Sequence, residues 1–218
     1  MIGFIGDIHG NFDLLFDRME QHKEIDTWVQ VGDFGGETKI YKASPKPIYF
    51  ISGNHENWDE IEKMDNGNYL NNLYHIKNGG YVDVGPCGIR VLGLGGNYSP
   101  SYYDKKRKDL CGERRRHFVK EDFDKVKDLI VNLDRGIDIL ITHEAPSPYI
   151  KGEGKRNMGQ PLINELINIV KPKMYFFGHH HYDSITEYEG VPSIGLGFGF
   201  KTFIKFDPVE FSIKRISI

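Results

Sequence analysis

Five short stretches of the 218-residue chain concentrate the residue types that bind metal ions or move protons. They are Gly6-Asp7-Ile8-His9-Gly10, Gly32-Asp33-Phe34-Gly35-Gly36, Gly53-Asn54-His55-Glu56, Thr142-His143 and Gly178-His179-His180-His181. Asp7 and His9 stand two residues apart on one segment and can chelate one ion. His179 and His181 share that spacing, and their rings can reach different ions. Asp33 offers a lone carboxylate from another segment and can bridge. With Asn54 and His143 the donors exceed the four that a tetrahedral ion takes, so the set argues for two ions. Mixed imidazole and carboxylate donors suit Mn²⁺, Fe, Zn²⁺ or Ni²⁺ better than Ca²⁺, which prefers oxygen alone. Two ions roughly 3.5–4 Å apart are the usual clamp for phosphoryl transfer. They lower the pKa of a water and neutralise phosphate oxygens as charge builds. His55, not needed as a ligand, is placed to give a proton to a leaving oxygen. Asp and Asn also cap turns, but turn chemistry has no need of histidine.

The elements around these stretches explain how they could meet. Apolar runs at Ile2 to Ile5, Thr27 to Val31, Pro47 to Ile51, Ile137 to Ile141 and Met174 to Phe177 read as buried strands, and each ends in one of the five clusters. Sites in open α/β sheets form at the carboxyl ends of strands, so five such ends can converge on one cleft. Phe12, Leu15, Phe16 and Met19 recur at helical spacing behind a capping Asn11, and Asn57 with Glu60 opens a short helix to about Met64. Tyr81 to Val84 and Ile89 to Leu94 form a hairpin. A helix stripe runs through Val119, Phe123, Val126, Ile130 and Leu133, and Pro161 opens another ahead of Leu162, Ile163, Leu166, Ile167 and Val170. Ser184 to Ile218 alternates as three or four antiparallel strands. The order implies an α/β (α+β) architecture of layered, mixed sheets flanked by helices, in a single domain over residues 1–218.

Composition narrows the partners. The chain is 39% apolar and 27% charged, with a net charge of −3, which is globular and gives no overall bias toward nucleic acid or membrane. No apolar run approaches the roughly 20 residues of a membrane span. The first ten residues lack a secretory pattern, and Cys87 and Cys111 form no C-x-x-C pair, so a cytoplasmic location with inert structural thiols is expected. His22, His75 and His117 have no ligand-type neighbours. The segment from Tyr98 to His117 interleaves Lys105, Lys106, Arg107, Lys108, Arg114, Arg115 and Arg116 with Tyr98, Tyr102 and Tyr103. Such a segment is either a solvated loop or a lid that grips phosphates and stacks bases. Arg114, Arg115, Arg116, Tyr102, Tyr103 and His180 are therefore candidate substrate contacts. Gly152-Glu153-Gly154-Lys155-Arg156 lacks the spacing of a phosphate-binding loop, and Gly195 to Gly199 reads as a glycine-rich strand edge.

The five clusters, in order from residue 6 to 181, resemble the calcineurin-like metallophosphoesterase family. Its pattern is D-x-H, G-D, G-N-H-[ED], an isolated H, and G-H-x-H. The resemblance implies a sandwich of two mixed β-sheets flanked by helices. It implies that Asp7, His9 and His181 hold one divalent metal, that Asn54, His143 and His179 hold the other, and that Asp33 bridges them. Mn²⁺ leads among the metals, with Fe, Zn²⁺, Ni²⁺ or Mg²⁺ as alternatives. It also makes His55 the acid that protonates the leaving group. Serine/threonine protein phosphatases of the family carry arginines where this chain has Gly35-Gly36 and Ser52. Their absence leans the expectation from phosphomonoesters toward phosphodiesters, with nucleotides or nucleic acid as partners. The Gly93 to Asn97 run and the Arg-rich segment are similar to RNA lariat debranching enzymes, which carry Cys where this chain has Asp7. The alternatives are a protein phosphatase, or a non-catalytic metal- or nucleic-acid-binding scaffold of the same fold.

Overall fold

A computed structural model describes residues 1–36, 40–65, 70–150 and 156–217. Most of the Gly152 to Arg156 stretch lies outside them.

Two six-stranded sheets face each other. The first has the order β12-β11-β1-β2-β3-β4, built from β1 (Ile2–Ile5), β2 (Thr27–Gln30), β3 (Ile48–Phe50), β4 (Leu73–His75), β11 (Thr202–Asp207) and β12 (Ser212–Ser217). The second has the order β5-β6-β7-β8-β10-β9, built from β5 (Gly80–Val84), β6 (Ile89–Leu94), β7 (Ile139–Thr142), β8 (Met174–Phe177), β9 (Ser184–Tyr188) and β10 (Val191–Gly195). Both sheets are mixed. β1, β2, β3 and β4 run parallel, as do β6, β7, β8 and β10, while the outer pairings are antiparallel.

Alternation along the strands makes the layers. In β7, Ile139 and Ile141 face the inter-sheet core and Leu140 faces outward. In β8, Met174 and Phe176 point in while Tyr175 and Phe177 point out. Phe4 and Phe176 stack across the two sheets at 4.0 Å with 6° between their planes. Helices cover the outer faces. α1 (Phe12–Gln21) and α2 (Trp58–Asp65) bury Phe12, Leu15, Met19, Trp58, Ile61 and Met64 against the first sheet. α3 (Lys120–Asn132) and α4 (Pro161–Val170) bury Phe123, Val126, Ile163, Leu166, Ile167 and Val170 against the second. No helix among the described residues is long and apolar enough to cross a membrane.

The sequence reading departs from this fold in four places. β4, only three residues long, was not anticipated. Asn11 does not cap α1; its side-chain amide donates instead to the Ile8 carbonyl at 2.7 Å, which closes the first loop. Cys87 and Cys111 are unbridged but exposed rather than packed. The Gly195 to Gly199 run leaves the sheet after β10 and crosses the first loop, where the Gly199 N–H donates to the Asp7 carbonyl. The four tail strands are present, although β10 also pairs in parallel with β8.

The stacked pair between the sheets sets a stability test. Phe176→Ala is expected to cost about 3–5 kcal/mol, read as a lower urea midpoint. A loss under about 1 kcal/mol would mean that the sheets do not pack through this pair.

Candidate metal centre

The parallel runs put the carboxyl ends of β1, β2 and β3 at one edge of the first sheet, and those of β7 and β8 at the matching edge of the second. Each of the five clusters begins at one of these ends, and their side chains meet between the sheets. One group gathers Asp7, His9, Asp33 and His181; a second gathers Asp33, His143 and His179. Asp33 belongs to both. Asn54 joins the second group, its Oδ1 lying 3.1 Å from His143 Nε2.

The loops that carry these residues interlock. The Ile8 and His9 N–H groups donate to the Asp33 carbonyl, and the Gly10 N–H donates to that of Phe34. The His55 N–H donates to Asp33 Oδ1 at 2.7 Å. The glycine before a ligand has a steric reason. A Cβ on Gly53 would overlap Asp33 Oδ1, and one on Gly32, at φ +98°, would overlap the His143 ring. The strand ends approach too closely for side chains at these points. The ligands themselves carry strain: His9, Asp33, His179 and His181 all sit at positive φ, between 46° and 70°. Each such residue costs on the order of 1–3 kcal/mol, and such conformations cluster at functional sites.

The donor atoms fit cations. His143 Nδ1 lies 3.0 Å from the Val31 carbonyl, which can only accept, so Nδ1 carries a proton. Its Nε2 then faces Asn54 Oδ1 and, at 3.5 Å, Asp33 Oδ1. His9 Nε2 and His181 Nε2 face one another at 3.2 Å, and His181 Nε2 lies 2.9 Å from Asp7 Oδ2. That buried Asp7 oxygen has no hydrogen bond of proper geometry, although it sits in ion-pair range of the ring. Lone pairs converging in this way need either protons or a cation between them.

The proton affinities carry the same mark. Burial, reinforced by Asp33 and Glu56, pushes the Asp7 carboxyl up to about 8. Burial also opposes ionisation of Asp33, but His143, the His55 N–H and His9 outweigh it and hold that carboxyl below its usual value. Burial disfavours the His143 cation, yet Asp33 and Asp7 raise its pKa. His179, out of water and beside His143, falls to about 4 and stays neutral, as a ligand must be.

The other candidates are placed as follows. His55 is exposed, with its ring 5.7 Å from that of His9, at the mouth of the cluster. His180 packs on Tyr149 and lies 3.6 Å from the Glu144 carboxylate. The Tyr98 to His117 segment is docked, and includes 3-10 turns at Arg107–Asp109 and Gly112–Arg116. Arg115 pairs with Asp59 and Glu62 of α2, and Tyr103 packs among Tyr98, Phe118 and Phe123, so both are already engaged. Arg116 lies 4.0 Å from Glu113. Arg114 lies over the Tyr102 ring, which stacks on His117.

Three contributors were not foreseen. Glu56 is fully buried, and its carboxylate accepts from the N–H groups of Phe34, Gly35 and Gly53 and from the Tyr41 hydroxyl, so it ties the second and third clusters together. Its presence inside the G-N-H-E stretch was the available signal. Gln30 bonds the backbones of Gly6 and Gly32 and so joins the first two strand exits. Phe198, in the glycine-rich run, stacks on His181 at 3.9 Å.

Comparison with known proteins follows this geometry. The model of the family "Calcineurin-like phosphoesterase" matches residues 1–183. A lariat debranching enzyme of Entamoeba histolytica is 25% identical over 204 residues, which is 82% of this chain and 55% of that protein. The chain therefore spans about half the length of this curated relative. The crystal structure of a Thermus thermophilus protein superposes with a TM-score of 0.72 at 12% identity, covering 99% of this chain and 97% of that one. The calcineurin-like phosphoesterase YfkN from Bacillus subtilis superposes at 0.53 and 14% identity, covering 99% and 87%.

Because Asp7 holds its proton below about pH 8 in the metal-free chain, metal must displace it. Titration of metal-free protein with Mn²⁺ at pH 7, by calorimetry in buffers of different ionisation heat, is expected to release about one proton per chain or more. Affinity rises with pH, and the release fades above about 8. Release of no proton at pH 7 would contradict a buried Asp7 ligand.

Proposed function

The chain belongs to the calcineurin-like phosphoesterase family, and we propose that it hydrolyses phosphodiesters of nucleotide or nucleic-acid type. The observation that carries this reading is the carboxylate of Asp33 shared by two ligand groups. Asp7, His9 and His181 would hold one divalent metal, and Asn54, His143 and His179 the other, with Asp33 between them. Mn²⁺ is the first candidate. Bound metals would supply an acidified water and positive charge against the phosphate oxygens.

The chain's own residues do the rest. The His143 Nδ1–H bond to the Val31 carbonyl fixes that ring with Nε2 turned to the cleft. Phe198 fixes the plane of His181 from the other side. Glu56 holds the loops of Asp33 and Asn54 at constant spacing. His55, on the exposed side of the cluster, would hold a proton on its ring and pass it to the departing oxygen, so the alcohol leaves neutral. The lean to diesters is supported by Gly35-Gly36 and Ser52, where phosphatases of the family grip a phosphate dianion with arginines. The debranching relative supports it as well. Arg114 over Tyr102 is the pair best placed to meet a chain beyond the scissile phosphate, since Arg115 is neutralised on α2.

The acid role of His55 can be isolated through the leaving group. With Mn²⁺ present, His55→Gln is expected to slow hydrolysis of a diester with an alkyl alcohol leaving group by about 10²–10⁴-fold. With a nitrophenolate, which departs without a proton, the loss should be under about tenfold. Equal losses for both would remove His55 from proton transfer. Asp33→Asn should abolish both reactions.

A further inference from the structure

Beside the metal centre lies a second concavity that none of the candidate ligands lines. It encloses about 510 Å³ between α2, the strand exit at His75 to Asn78, the 3-10 turns and α3. That volume falls in the range of about 300–1,000 Å³ usual for small-molecule sites. It adjoins the centre through Ser52, which lines it two residues before Asn54.

Its wall holds three buried polar atoms without a hydrogen-bond partner: Trp58 Nε1, His75 Nε2 and Asp122 Oδ1. Trp58 is 7% exposed, the His75 side chain 7% and Asp122 1%. Unpaired buried groups of this kind cost on the order of 1–3 kcal/mol each, and a cluster of them marks a place where something else bonds. Their polarity can be read. Trp58 Nε1–H only donates. The Asp122 carboxylate accepts, and its other oxygen already takes Asn78, Arg107 and the Val119 N–H. His75 Nδ1 faces Asp65 Oδ1 at 2.8 Å and donates to it in the neutral ring, which leaves Nε2 as an acceptor. The matching ligand offers N–H donors and a ring acceptor together. Ile61 and Leu110 supply apolar surface in the same wall. Lys77, Arg107, Arg115 and Lys125 bring cations to the lining. Arg107, Arg115 and Lys77 are held by Asp122, by Asp59 with Glu62, and by Asp65. Lys125 is the lining cation left to meet an anion's charge.

We propose that this cavity binds a purine nucleotide, with the amino-bearing base against Trp58, His75 and Asp122 and the phosphate toward Lys125. The site is separate from the metal centre, and the proposal does not rest on the diesterase reading. The test is calorimetric titration of EDTA-treated, full-length protein with adenosine 5′-monophosphate, with ribose 5-phosphate alongside. One saturable site per chain is expected for the nucleotide, and at least tenfold weaker binding for ribose 5-phosphate. Trp58→Phe keeps the ring and removes the donor; it should weaken the nucleotide about three- to tenfold. Lys125→Glu, on the surface of α3, should weaken it by a similar factor. Asp33→Asn should leave it unchanged. Equal binding of ribose 5-phosphate would overturn the proposal, as would affinity unchanged in both cavity variants. Loss of binding in Asp33→Asn, or no binding below millimolar nucleotide, would also overturn it. Diester hydrolysis without nucleotide binding would sink the cavity and leave the reaction standing; nucleotide binding without hydrolysis would do the reverse.

Discussion

Asp7, Asp33 and Glu56 stand out of water in one space between two sheets, and their mutual repulsion governs what surrounds them. Each is balanced differently. Glu56 is spread over three backbone N–H groups and the Tyr41 hydroxyl. Asp33 leans on His143, the His55 N–H and His9. Asp7 accepts the His179 N–H on one oxygen, and its other oxygen meets the His181 ring. Burial of charge at this density is costly unless it is paired or coordinates a metal. A cation between Asp7, Asp33 and the facing imidazole nitrogens removes the conflict that protons otherwise relieve.

The backbone bears the cost of that arrangement. Ligands at positive φ are strained, and the strand ends are so close that Gly32 and Gly53 accept no side chain. A loose fold would relax both. The sandwich does not, because Phe4 and Phe176 lock the sheets face to face and the apolar outer faces are sealed by helices. The rigid layers thus supply the energy that keeps five loop starts in register.

What the sequence disclosed and what it hid divide along physical lines. Apolar runs ending in ligand-type residues are local patterns, and they located the five strand ends and the donors that meet there. Parallel neighbours are not local: nothing in Val191–Gly195 says that β10 pairs with β8, and three residues at Leu73–His75 are too few to show a period. Asn11 looked like a cap because its type is right, yet a closer carbonyl at Ile8 takes its amide. The Arg-rich segment looked free because charge runs usually are. Its partners, Asp59, Glu62 and Asp122, lie far away in sequence or on a later helix. Glu56 was visible as a residue, but its role depends on which backbone groups surround it, and only the fold supplies those.

The two-metal centre bridged by Asp33 is the claim on which the rest turns. Anomalous diffraction from crystals grown with Mn²⁺ tests it directly. Two peaks per chain roughly 3.5–4 Å apart, with Asp33 between them and Asp7 and His143 on opposite sides, is the expected result. A single peak, or two peaks with Asp33 bound to neither, would contradict it.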